Sequence, residues 1–109
     1  MIYELEISEQ ADNDLRGIFE YIAFELQSPQ NASGQLDRLE EQILSLDTMP
    51  ERYRRYEKEP WKSRGLRVLP VDNYVVFYIL DSDKKVVTIL RVMYAGRDTD
   101  NQLNLYTKQ

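Results

Sequence analysis

Few residue types here can carry chemistry, because the 109-residue chain contains neither histidine nor cysteine. That removes the commonest general base, the commonest metal ligand and the thiolate nucleophile. Any acid–base or phosphate chemistry falls to Lys, Arg, Tyr, Asp and Glu. Three places concentrate such groups. The first is a basic run, Arg52, Arg54, Arg55, Lys58, Lys62 and Arg64, interrupted by Glu57 and Glu59. It reads either as a solvated loop that neutralises itself or as a patch for phosphate or an acidic partner. The second is Arg67, embedded in the apolar stretch Leu66–Val71. The third is the segment Arg91-Val92-Met93-Tyr94-Ala95-Gly96-Arg97-Asp98, where two arginines flank a phenol. Asp81 and Asp83 flank a turn without the glycine-centred pattern of a calcium loop, so no metal site is expected. No cofactor is expected either.

Charge divides the chain in two. Residues 1–51 carry twelve acids and two bases, a balance of −10, whereas residues 52–109 carry seven acids and twelve bases, a balance of +5. Half of the Lys and Arg, 7 of 14, lie between Arg52 and Arg67. A net charge of −5 makes a poor non-specific nucleic-acid binder, but a local basic patch remains open to RNA, a nucleotide or an acidic protein. No segment approaches the roughly 20 apolar residues of a membrane span, and the amino terminus lacks a signal-peptide pattern. Without disulfide chemistry either, a cytoplasmic protein is expected, as one domain over residues 1–109.

The elements that must position these groups follow from periodicity. Tyr3, Leu5 and Ile7 alternate with Glu4 and Glu6, the pattern of a strand with one wet face. Ser8 then caps a helix over 9–26, whose stripe is Ala11, Leu15, Ile18, Ile22 and Leu26. Ser28-Pro29 restarts a second helix over 29–47, with Ala32, Leu36, Leu39, Ile43 and Leu46 on one face. The short connection makes the two an antiparallel hairpin. Residues 50–64 show no clean period and read as a loop or short helical turn tethered by Tyr53, Tyr56 and Trp61. Three strands follow: Leu66–Val71, at an edge or bulge because of Pro70; Tyr74–Leu80, buried on both faces; and Val86–Met93. Asp98 is placed to cap a short terminal helix holding Leu103. The fold expected is α+β: a strand, an antiparallel helical hairpin, a three-stranded antiparallel meander and room for a short C-terminal helix. The hairpin covers one sheet face and the opposite face is expected to be free for binding. Strand alternation puts Arg67 with Leu69 and Val71. It puts Arg91 with Val87, Ile89 and Met93, and Tyr94 on the other face with Thr88, Leu90 and Val92, unless a bulge intervenes. Arg91 then reads either as a binding group or as a paired arginine supporting the sheet.

Residues 65–98, GLRVLPVDNYVVFYILDSDKKVVTILRVMYAGRD, resemble the sheet region of RelE/ParE-family toxins. Such proteins show a Leu-rich strand, a Tyr-x-x-x-Tyr strand (here Tyr74–Tyr78), and a valine-rich strand ending in a short basic signature. The resemblance implies a toxin that arrests growth, as in plasmid-stabilising type II toxin–antitoxin systems, neutralised by a cognate antitoxin protein. RelE-like members are ribosome-dependent messenger-RNA endonucleases; ParE-like members inhibit DNA gyrase. The nuclease reading would use Arg97 to hold a phosphate, with Arg67 and Tyr94 as further catalytic candidates. Arg91, Arg54, Arg55, Lys58, Lys62 and Arg64 are the binding candidates, and Arg97 also has Asp98 and Asp100 at hand for an ion pair. The second arginine that nuclease members carry after the first tyrosine of the central strand is Val75 here, and their terminal-helix tyrosine falls near Leu103, with Tyr106 out of register. Tyr94 stands where many relatives carry histidine. These departures favour the ParE-like branch, with gyrase as target. The alternatives are a RelE-like nuclease acting on ribosome-bound mRNA and an inactive relative that only binds antitoxin.

Overall fold

A computed structural model of the chain describes residues 2–96 and 98–107, with the Tyr106 side chain left undescribed. Strand β1 (Glu4–Ile7) leads into helix α1 (Glu9–Glu20). Ser8 makes this junction in two ways: its hydroxyl oxygen accepts from the Ala11 amide at 3.0 Å, capping α1, and its O–H donates to the Leu90 carbonyl at 2.8 Å. The helix continues as a π-helical turn over Tyr21–Glu25, closed by the Leu26 amide on the Tyr21 carbonyl. This turn corrects the expected stripe. A π turn holds more residues than an α turn, so Ile22 and Ala23 remain buried while Leu26 rotates outward, 57% exposed. Gln27, at φ 53°, reverses the chain, and Pro29 takes the first position of α2 (Pro29–Leu44). A 3-10 turn, Ser45–Asp47, ends the hairpin.

Strands β2 (Leu66–Val71), β3 (Tyr74–Asp81) and β4 (Val86–Tyr94) form the expected antiparallel meander, and α3 (Thr99–Tyr106) follows. The sheet order is β1-β4-β3-β2, with β1 parallel to β4, so the helical hairpin carries the chain from β1 at one edge across the sheet to β2 at the other. The Asp72–Asn73 turn is tied to α2: Arg38 and Gln35 both donate to the Asp72 carboxylate, at 2.7 and 3.0 Å. Those donors hold the Asp72 carboxyl below its usual range, the Arg38 hydrogen bond first.

One face of the sheet packs against the hairpin. There Leu15, Leu39, Ile43 and Leu46 meet Leu69, Val76, Tyr78, Val87, Ile89 and Val92. The other face, expected to be free, carries a second apolar layer. Leu66, Val68, Phe77, Leu90 and Met93 lie beneath Trp61 and Leu103, which are 2% and 0% exposed. Its cover comes from the aperiodic segment and from α3, where one tryptophan and one leucine suffice to exclude water.

The register of β4 shifts between the Phe77–Arg91 and Tyr78–Ile89 pairs, leaving Leu90 as the extra residue of a β-bulge. Strict alternation therefore fails from Leu90 onward. Ile89 and Val92 face the hairpin, while Leu90 and Met93 face the second layer. The expected grouping of Leu90 with Val92, and of Ile89 with Met93, is corrected accordingly.

Candidate functional site

Beyond Ile89 the outer edge of β4 runs past the end of β1, and its backbone groups need other partners. Side chains of the hairpin supply them. Ser8 takes the Leu90 carbonyl, and Asp14 on α1 accepts the Val92 amide at 2.9 Å. The same carboxylate receives Arg91 through two bonds, Nε to Oδ2 at 2.7 Å and Nη2 to Oδ1 at 2.9 Å. Both side chains are shielded, 12% exposed for Arg91 and 16% for Asp14. Arg91 also donates to the Thr107 hydroxyl, just past α3. The structure thus places Arg91 as the fastener between α1, the β4 edge and the C-terminal segment. Asp14, which sequence reasoning passed over, is its counterpart. A carboxylate on the polar side of an amphipathic helix carries no sign that it will meet a strand edge.

Arg67 is turned the other way. Its Nη1 donates to the carbonyls of Glu51 and Tyr53, at 3.0 and 2.7 Å, pinning the segment that follows α2. Beside it, Tyr78 is fully buried and donates to the Pro50 carbonyl. Burial pushes the Tyr78 phenol up to about 12, against the lowering effect of Arg67. Tyr94 lies 48% exposed at the end of β4, edge-on to Tyr74 with ring centroids 5.8 Å apart. A side chain on Gly96 would put its Cβ 2.5 Å from the Tyr94 ring, so glycine lets the ring fold back over the chain. Arg97 lies outside the described residues. Arg67, Arg91 and Tyr94 stand opposite Tyr78, Phe77 and Tyr74 respectively, and the two guanidiniums engage different partners. They are not drawn into one cleft.

The basic segment has a defined shape. The Val68 amide donates to the Arg54 carbonyl and the Tyr56 amide to the Leu66 carbonyl, so residues 54–56 line the outer edge of β2. Arg55 sits opposite Arg67 in an isolated bridge. Pro70, next in the outward-facing register, has no N–H to offer, which blunts the rest of that edge. From Lys58 the chain makes one tight turn, with the Lys62 amide on the Lys58 carbonyl, ending at Gly65 with φ 77°. Trp61 anchors the turn from inside: its indole donates to Asn104 at 2.9 Å while Arg64 lies 5.1 Å above its ring. Tyr56 donates to Asp100 at 2.9 Å, and burial with that carboxylate pushes its phenol up to about 12. Both Tyr56 and Tyr78 therefore stay protonated at neutral pH, as hydrogen-bond donors. Arg54, Arg55, Lys58, Lys62 and Arg64 all keep their side chains in solvent.

Among the described residues no group of three or more Asp or Glu is arranged to hold a metal. Two shallow grooves mark the surface. One, of about 290 Å³, runs between α1 and α2 past Leu15, Phe19 and Leu36, with Asp12, Arg16, Glu20 and Glu40 around them. The other, of about 370 Å³, lies at Arg38, Glu41, Pro70 and Asp72. None of the site residues expected from sequence lines either one.

A family model described as the ParE toxin of the type II toxin–antitoxin system parDE matches residues 5–99. The chain belongs to the ParE toxin family. It is the toxin of a type II toxin–antitoxin system, in agreement with the resemblance of residues 65–98. Among solved structures, a chain of the chromosomal ParDE system from P. aeruginosa is similar with a TM-score of 0.71 at 21% identity, covering 85% of this chain and 96% of that one. A chain of the RelBE2 toxin–antitoxin complex of Mycobacterium tuberculosis gives 0.64 at 21% identity, covering 86% and 99%. One from the archaeal RelE–RelB complex of Pyrococcus horikoshii gives 0.62 at 21% identity, covering 89% and 99%. At such identities these neighbours establish the fold of the ParE-family chain and not its chemistry. No curated protein sequence matches it closely. No described helix is long and apolar enough to cross a membrane.

Proposed function

We propose that this ParE-family toxin arrests growth by inhibiting DNA gyrase, acting in the cytoplasm as one domain and held inactive by a cognate antitoxin. The sealing of the second sheet face carries the first part. Nuclease-type relatives are expected to present an arginine and a tyrosine at the positions of Val75 and Leu103. Here Val75 is half-buried against the apolar layer and Leu103 is wholly buried in it. Cleaving RNA through its 2′-hydroxyl requires a base, an acid and a cation converging on one phosphate. Arg67, Arg91, Tyr56 and Tyr78 are instead spent on carbonyls, carboxylates and packing. A surface that works by binding needs no such convergence.

The antitoxin part rests on the family and on the hairpin. Tyr21, Phe24 and Leu26 are 55%, 69% and 57% exposed at its tip, and the α1–α2 groove sets Leu15, Phe19 and Leu36 among Asp12, Glu20 and Glu40 with Arg16 as the one base. A disordered antitoxin tail with apolar anchors and basic residues suits such a surface. Induction of the chain alone, following growth, the DNA-damage response and transcript ends together, tests the proposal. Growth arrest with a DNA-damage response and intact transcripts is expected, relieved when the neighbouring small reading frame is co-expressed. Fresh cuts inside translated codons would establish the nuclease alternative, and absence of arrest would leave an inactive antitoxin-binding relative.

A further inference from the structure

We propose that the turn Arg54–Arg64 is a docking ridge for the phosphodiester backbone of a nucleic acid. The whole positive excess of the C-terminal half resides here: residues 52–67 hold seven bases against Glu57 and Glu59. The structure neutralises little of it. Among the described residues the ion pairs are Arg16–Asp12, Arg38–Asp72 and Arg91–Asp14, all outside this segment. Arg54, Lys58 and Lys62 are exposed and make no side-chain hydrogen bond or ion pair among the described residues. Glu59 uses one carboxylate oxygen on the Ser63 amide, at 2.9 Å, and the other on the Ser63 hydroxyl, at 2.7 Å, and feels Lys62 only as the weakest of the influences that lower its carboxyl.

The cations are also pre-arranged. The Lys62 amide donates to the Lys58 carbonyl at 2.9 Å, so the two lysines bracket one closed turn of the backbone. Trp61 beneath and the β2 edge beside them hold the turn, so little ordering remains to be done on binding.

The surroundings decide the class of ligand. A protein partner is gripped by apolar or aromatic anchors inside a polar rim. Among the described residues the large exposed apolar side chains are Ile2, Ile7, Tyr21, Phe24, Leu26, Leu44, Met49, Tyr94 and Leu105, and none falls between Arg54 and Arg64. The two aromatics that do, Tyr56 and Trp61, face inward. Point charges on a rigid polar turn suit a chain of phosphates, which needs cation density and no pocket. The acidic N-terminal half does not cancel this. Screening confines each charge to about 8 Å at physiological salt, and the charge asymmetry orients the molecule with the ridge toward a polyanion.

The inference deepens the gyrase reading, because gyrase carries duplex DNA, but its test needs no gyrase. Fluorescently labelled duplex DNA, single-stranded RNA and polyglutamate are titrated with the purified chain from 50 to 200 mM salt. The same is done with the triple variant Arg54→Gln/Lys58→Gln/Lys62→Gln and with a charge-matched control, Arg16→Gln/Lys84→Gln/Lys85→Gln. Thermal melts establish that both variants fold. DNA is expected to bind the parent and the control alike. The ridge triple should bind on the order of tenfold more weakly, with its salt slope reduced by about 2.7. Ridge-dependent binding to RNA in preference to DNA would support the phosphodiester site and identify RNA as its source. Equal loss in the control, no nucleic-acid binding by the parent at 50 mM salt, or binding to polyglutamate alone would overturn the inference. Gyrase inhibition surviving that outcome would leave the proposed function standing.

Discussion

The two faces of the sheet are built by different means. The hairpin face is covered by two helices of twelve and sixteen residues, and its layer draws on every element from β1 to β4. The second face is roofed by one turn around Trp61 and by an eight-residue helix, α3. A helix of that length is marginal by itself. What holds it is Leu103 in the layer, the Trp61–Asn104 and Tyr56–Asp100 bonds and the Asp98 cap on Asn101. A periodic cover distributes its stability, while an aperiodic one concentrates it in a few side chains. The second face should therefore fail at single residues.

The largest effect is expected at Trp61. Trp61→Ala should cost about 3–5 kcal/mol, read from the denaturant midpoint, because it opens a cavity and releases the indole bond to Asn104 at once. Asp14→Ala should come next, at about 3 kcal/mol, since it leaves Arg91 shielded without its carboxylate and the Val92 amide unpaired. The double replacement Asp14→Leu/Arg91→Met should recover much of that loss if the pair is a fastener. Leu103→Ala sharpens the contrast. It should cost about 2–3 kcal/mol and speed hydrogen exchange in α3 while the β3–β4 amides stay protected. Leu39→Ala, under the hairpin, should instead lower protection throughout. Ser8→Ala should cost about 1 kcal/mol through the lost cap.

A pH dependence stands apart from these substitutions. Tyr56 and Tyr78 are both raised from 10.0 to about 12 in the folded chain, chiefly by burial. Each favours the fold fully below pH 10 and loses that contribution as pH rises from 10 toward 12. Stability measured across that window should fall, and less steeply in Tyr56→Phe.

The same contrast explains what the amino-acid sequence revealed. Leu66–Val71 emerges as a strand with the bounds expected, and Pro70 does lie on an edge strand. The helices begin where Ser8 and Pro29 place them. These features are written in local periods and caps. The bulge at Leu90 and the π turn at Tyr21 are not, because each inserts a residue into a period that otherwise continues. The parallel pairing of β1 with β4 also escapes local pattern, being a choice among sheet orders. The second apolar layer was hidden because Trp61 stands alone in a charged stretch, and only contact with Phe77 and Leu103 makes it core. The chemistry-bearing residues were nameable, but their partners were not: Arg91 needed Asp14, 77 positions away.

The difference between the faces also bears on the proposed function, in which a toxin with a sealed second face works by binding. The most direct measurement sets the purified chain against two targets in parallel, DNA gyrase with relaxed plasmid and translating ribosomes with a defined transcript. Loss of supercoiling, with the transcript intact at the same concentration, is the expected result. Uninhibited gyrase together with cleavage inside ribosome-bound codons would contradict it.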